Sequence, residues 1–236
     1  MSSQNRGVIW FLILAFGVAW LVWEIPLRLG LTLSDPMFQI FLLPGSFAPA
    51  IAAVVVRKWI TREGFEDAGF KLHFKKRWKI YLIAWLLPFV VIGGMILVNM
   101  ALNVTEPVLD AQEAIMKTLP EGQEIPANAP PMTWWLVIAQ GMVMSIIAIP
   151  VLWGEEFGWR GYLQLRLFGD QPVKAAVVTG LIWGVWHYPI NLRGYNFPDH
   201  EYLGLIVFPV SAVFISIILG WFRYRNGSIW AASLGH

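Results

Sequence analysis

An all-α, polytopic transmembrane helix bundle is the fold this sequence predicts, and three observations predict it. Of the 236 residues, 57% are hydrophobic and only 14% are charged, whereas about a quarter of a soluble domain is charged. The mean hydropathy is +0.60. The charges are clustered, so that six uncharged stretches of 17 to 30 residues lie between them, each long enough to cross a hydrocarbon core as a helix. Barrel strands are far shorter, and inside lipid every backbone group must be bonded within its own segment or bundle. A water-soluble enzyme is therefore not the leading reading. Residues 1–236 read as one integral membrane domain.

Taken in order, the first stretch runs from Gly7 to Trp23. No small-x-small cleavage pattern follows before Glu24 and Arg28, so it reads as an uncleaved helix rather than a signal peptide. The second, Pro36 to Val56, contains Pro44 and Pro49 and is expected to kink, as is the fourth at Pro150. The third spans Ile80 to Thr105. Between it and the fourth, Ile125 to Gly154, the region Ala101 to Thr133 carries five acids against one lysine, with Pro120, Pro126, Pro130 and Pro131, and reads as a solvated connection. The fifth stretch is Ala175 to Leu192 and the sixth Tyr202 to Phe222. From Asn226 only 11 residues remain, about 16 Å of helix, or half a crossing. A seventh helix is expected to begin near Ser228 and to be truncated.

With a cytoplasmic N-terminus, 14 of the 17 basic residues fall on the inner connections, which the positive-inside rule favours. The basic segment Arg57 to Lys79 reads first as a topology determinant, with a lipid-headgroup or substrate-steering surface as the alternative. Fourteen tryptophans suit membrane interfaces, Trp134, Trp135, Trp221 and Trp230 lying near span ends, and none is assigned chemistry. The absence of cysteine excludes disulfides, thiolate metal sites and cysteine nucleophiles. A net charge of +2 gives no ground for nucleic acid as a partner. There is no internal repeat of the transporter kind and no nucleotide-binding glycine loop.

Ionisable residues at membrane depth are costly, so each is a functional candidate. At the cytoplasmic end of the fourth stretch the chain reads Gly154-Glu155-Glu156-Phe157-Gly158-Trp159-Arg160. Glu156 and Arg160 have the four-residue spacing and order of a helical ion pair, while Glu155 is rotated by about 100° and need not share that arginine. An unpaired carboxylate in a poorly hydrated place suits a general base, and an interfacial charge cluster is the plainer alternative. The fifth stretch places His187 within 18 uncharged residues, one turn after Trp183, and Pro189 is expected to distort the helix beside it, with Asn191 supplying an amide near its end. A satisfied core histidine is the alternative there. Asn226-Gly227-Ser228-Ile229-Trp230 reads as a turn and helix start leading to His236. The soluble zinc-protease helix signature fails, because Gly204 stands where a second histidine would follow His200-Glu201, read as external loop.

These residues resemble the CPBP family of intramembrane proteases, which includes type II CAAX prenyl endopeptidases and bacteriocin-processing enzymes. The resemblance spans roughly the second half of the chain, with 134–236 carrying the motifs. Its Glu-Glu-x-x-x-Arg motif is matched by Glu155, Glu156 and Arg160. Its Phe-x-x-x-His motif is matched by His187, with Trp183 in place of phenylalanine, and its final histidine motif by His236, whose Asn or Asp partner would fall after the last residue. The resemblance implies an endopeptidase in a bacterial or archaeal plasma membrane that cleaves a membrane-associated peptide or protein within the lipid bilayer. It implies that Glu155 and His187 activate water, that His236 stabilises the oxyanion, and that Glu156 and Arg160 fix the geometry. The family is often described as metalloproteases, so Glu155, His187 and His236 are candidate zinc ligands, although a glutamate-activated water without metal would use the same residues.

Two other classes stay open on the sequence. A non-catalytic membrane factor of the same family would act by binding a partner, in peptide immunity or assembly. A small transporter would use the same polar residues as a proton or ion relay.

Overall fold

A computed structural model describes all residues except 1, 34, 105, 107, 118, 120–124, 127, 128 and 199. Pro120, Glu121 and Glu124 of the expected acidic connection lie outside the described residues. Among the described residues the chain is helical, with no strand. It falls into two compact units, Met1–Ala84 with Ile149–His236, and Trp85–Ala148.

The first unit opens with α1, Ser3–Arg28, whose N-terminal amide at Asn5 is capped by the Ser2 hydroxyl. Next come α2, Pro36–Ser46, and α3, Ala48–Val55, which continues into a π turn, Val56–Ile60. The break between α2 and α3 falls at Phe47, between Pro44 and Pro49, where prolines remove amide donors. α4, Phe74–Ala101, begins in this unit and ends in the other.

The chain re-enters the first unit at α7, Ile149–Gly158, which runs through a second π turn, Trp159–Leu163, into the short α8, Gln164–Arg166. α9, Pro172–Trp186, breaks at His187 before α10, Tyr188–Asn191, with Pro189 in the first turn of α10, as the sequence predicts. α11, Glu201–Asn226, includes Glu201, so His200-Glu201 is not all loop: His200 is the residue before the helix. Gly227, at φ 72°, supplies the left-handed residue that ends α11 and returns its N–H to the Arg223 carbonyl. Ser228 then caps α12, Ile229–Gly235, accepting from the Trp230 amide, which is the expected turn and helix start.

The second unit holds the rest of α4 with α5, Ala111–Met116, and α6, Trp134–Ile147. The Trp85 indole donates to the Met142 carbonyl at 3.1 Å, joining α4 to α6.

Four helical stretches are long and apolar enough to cross a membrane, namely Ser3–Arg28, Ile40–Ile60, Phe74–Ala101 and Glu201–Asn226, and a fifth if Trp134–Ile147 and Ile149–Arg166 form one broken span. Helices stand at all six expected places, but α9 has only 15 residues, about 22 Å, which is short for a full crossing. The apolar surface faces outward. Only 11% of the most apolar window of Phe74–Ala101 is buried, an exposure that water would penalise and lipid does not.

The core of the first unit is aromatic. Trp23, Trp159, Trp183 and Trp186 are at most 3% exposed and belong to the core rather than to a surface belt, whereas Trp134, Trp135 and Trp221 are exposed and Trp230 is partly buried. Small residues let the backbones approach. A Cβ on Gly158 would lie 2.2 Å from the Pro49 Cβ, and one on Gly184 would lie 2.4 Å from the Pro209 Cα. Those contacts seat α7 against α3 and α9 against α11.

Arg57, read from sequence as part of a basic topology signal, is fully buried. Its guanidinium donates to the Gly161 carbonyl at 2.8 Å and to Asp67 at 2.7 Å, tying the end of α3 to the second π turn and to the loop before α4. Arg223 donates to the Asp67 carbonyl, and Arg166 reaches Asp67 and Glu63 at 3.2 and 2.9 Å. Burial alone would raise the Asp67 carboxyl, but the Arg57 hydrogen bond and the charges of Arg57 and Arg166 outweigh it and hold the group below its usual range.

Candidate active site

The five candidate residues come from three stretches of helix in the first unit. Glu155 and Glu156 are on α7 and Arg160 is in the π turn that follows. His187 is the hinge residue between α9 and α10, and His236 follows α12. Glu155 is not at a helix end as expected, because the helix continues to Arg166, so about 16 Å of helix separates the two residues. The Glu155, Glu156 and His187 residues are 6%, 0% and 8% exposed, and Arg160 is fully buried.

The two neighbouring carboxylates have different partners. Arg160 donates to Glu156 Oε1 at 2.8 Å, which is the helical ion pair the spacing predicts, with both side chains fully buried. Glu155 points elsewhere, as its rotation allows, and its Oε2 accepts the Trp183 indole N–H at 2.8 Å. One carboxylate faces a cation and the other a neutral donor.

His187 Nδ1 lies 2.9 Å from the Trp183 carbonyl oxygen. A carbonyl only accepts, so this assigns the proton to Nδ1 and leaves the lone pair of the neutral ring on Nε2. The ring sits edge-on to Trp186 and Phe208, with centroids 4.8 and 4.9 Å away. His236 Nδ1 comes within 2.9 Å of Glu156 Oε1 without the alignment of a hydrogen bond. The third motif histidine thus meets the ion-paired carboxylate.

Trp183 is the residue that sequence reasoning passed over. Its indole bonds Glu155, lies 4.9 Å below the Arg160 guanidinium, and meets the His187 and His236 rings edge-on at 5.5 and 5.0 Å. The available signal was its place one turn before His187, where the resembled motif has phenylalanine. Asn191, also buried, accepts from the Asn196 side chain at 2.7 Å. Tyr195, in the turn after α10, is within electrostatic reach of the site. Partial burial first, and then the Glu155 charge, raise its phenol above the usual value.

Zinc needs ligands that converge on one point at about 2 Å. Among the described residues, no three His, Asp or Glu side chains come together in that way. His236 turns to Glu156 and Glu155 to Trp183, so the expected set of Glu155, His187 and His236 does not fit a metal in this arrangement.

Apolar helices around a buried cluster of carboxylates, guanidinium and imidazoles define a class, the integral membrane proteins with ionisable chemistry held away from water. Residues 130–236 match the family model described as Type II CAAX prenyl endopeptidase Rce1-like. That match supports membership of the CPBP family and, at the general level, a peptidase with a peptide or protein substrate in a membrane. The matched segment contains Glu155, Glu156, Arg160, His187 and His236. No curated protein matches the chain.

Proposed function

We propose that this protein is an intramembrane endopeptidase that hydrolyses a membrane-associated peptide or protein, with Glu155 as the general base. The observation that carries the proposal is the unequal pairing of the two carboxylates. Glu156 is committed to Arg160, whereas Glu155 is held by a neutral indole and stays free to take a proton.

Glu155 removes a proton from a water molecule while the water oxygen adds to the substrate carbonyl carbon. His187 Nε2, the acceptor left by the Nδ1 contact, orients that water. The oxygen of the tetrahedral intermediate takes a hydrogen bond from His236. The proton held by Glu155 passes to the amide nitrogen, the C–N bond breaks, and the carboxylate is restored. Glu156 and Arg160 touch no reacting atom and fix the helix that presents Glu155. No step is routed through a metal. We place the N-terminus in the cytoplasm on the distribution of basic residues.

The test is cleavage of a peptide library by the purified full chain and by Glu155→Gln, with metal content measured on the same samples. Loss of a general base costs about 10²- to 10⁴-fold, so the variant should retain its thermal unfolding curve and lose at least about 10²-fold in rate. Equal cleavage by a folded Glu155→Gln protein would overturn the proposal, and no cleavage by either protein would favour a binding role.

A further inference from the structure

Where α1 begins and the first π turn ends, the surface holds a cleft of about 670 Å³ lined by Arg6, Trp10, Trp59, Ile60, Thr61 and Arg62. We propose that this cleft binds the phosphate of an anionic phospholipid headgroup. Both walls are ends of candidate membrane spans, Ser3–Arg28 and Ile40–Ile60. Their ends mark the level at which the phosphates of a bilayer lie.

The cleft is built rather than a chance gathering of charge. Arg6 donates through Nη2 to the Ile60 carbonyl at 3.0 Å, joining the two spans and fixing the guanidinium. An arginine has five N–H donors, so most of them stay available to an oxyanion. Arg62 has φ 56°, a left-handed conformation unusual for a non-glycine residue. Bonds on both sides hold it there, from the Thr61 amide to the Val56 carbonyl and from the Glu63 amide to the Arg57 carbonyl. An outlier kept by its surroundings is a reason to look for a task.

The electrostatics are one-sided, because no carboxylate lines the cleft. Of the acids that follow Arg62, Glu63 and Asp67 are engaged by Arg166 and Arg57, and Glu66 is not part of the lining. Trp10 and Trp59 are 44% and 58% exposed, and Lys58 Nζ lies 5.1 Å from the Trp59 ring centroid. Amphipathic indoles prefer the headgroup region and lie along acyl chains, which a soluble phosphate does not offer. That pairing of phosphate donors with exposed indoles selects a lipid as occupant.

The experiment uses the purified full chain in neutral detergent, titrated with short-chain phosphatidylglycerol or phosphatidylcholine and read by native mass spectrometry. Phosphatidylglycerol should be retained in preference, and Arg6→Gln/Arg62→Gln should weaken it by about 30-fold, the loss expected for two basic residues near an anionic surface. Arg62→Gln alone, which leaves the Arg6–Ile60 bond intact, should account for about 5-fold. Lys71→Gln/Lys75→Gln removes equal charge from the same basic segment but outside the cleft, and should change binding by less than about 2-fold. An equal loss in that control would make the attraction general and overturn the site. Unchanged binding in the arginine variants would overturn it as well, as would competition by glycerol phosphate at the lipid's own concentration, which would reveal a soluble-anion site. None of these readouts depends on peptidase activity.

Discussion

The Trp183 indole N–H and the Glu155 carboxylate are 2.8 Å apart and well aligned, so the carboxylate assigned as the base is oriented by a neutral donor from a different helix. A phenylalanine at 183 would keep the ring that both imidazoles and Arg160 pack against, but would remove the N–H that Glu155 accepts from.

Trp183→Phe should therefore lower kcat by at least about 10-fold, the lower end of the roughly 1.5–3 kcal/mol of one hydrogen bond to a charged group, and leave KM within about 2-fold. Steady-state cleavage kinetics check this, and Trp183→Leu separates the ring from its N–H by losing thermal stability as well. An unchanged kcat in Trp183→Phe would mean that Glu155 is positioned by other contacts.

The Glu156–Arg160 pair is predicted to act through structure. Both side chains are fully buried, and removing one member of such a pair costs about 3–5 kcal/mol, because the partner charge is stranded. Arg160→Met should lower the thermal unfolding midpoint sharply, and Glu156→Leu added to it should restore more than half of the loss. A double variant no more stable than Arg160→Met would show that the guanidinium matters through its Trp183 contact instead.

Asp67 gives a pH dependence with a definite sign. Its carboxyl is held below its usual value by Arg57 and Arg166 against an opposing burial effect. The group is ionised and stabilising above its unfolded pKa near 3.8, and that stabilisation is lost as pH falls through the lower folded value. Half exposure of the side chain makes the effect modest. Thermal unfolding of the detergent-solubilised protein between about pH 3 and pH 7 should show an acid limb that Asp67→Asn flattens. A variant with the same acid limb as the parent would assign it to other carboxylates.

Much of this arrangement is legible in the sequence, and the legible parts share a cause. The helices at the six uncharged stretches, the break at His187 beside Pro189, the cap at Ser228 and the Glu156–Arg160 pair all follow from local rules of length, proline geometry and helical spacing. What escapes is set by contacts between distant segments. The extent of α7 past Gly154 escapes because a run of charge marks a span end by composition, whereas Glu155, Glu156 and Arg160 are accommodated by pairing inside the bundle. The buried tryptophans escape because composition does not distinguish a belt residue from a core residue. The turn of His236 toward Glu156 is likewise a fact of packing between α12 and α7.

The π turn at Trp159–Leu163 has a geometric consequence for both of its neighbours. An additional residue in one turn advances the helix by about 100° relative to uninterrupted α geometry. Residues before it keep one phase, with Glu155 and Glu156 turned to Trp183 and Arg160. Residues after it take another, with Arg166 turned to Glu63 and Asp67. The turn is thus a phase shifter, allowing one stretch of chain to serve two compass bearings. The same residues wound as uninterrupted α-helix could aim the carboxylates or grip the loop, and would have to give up the other.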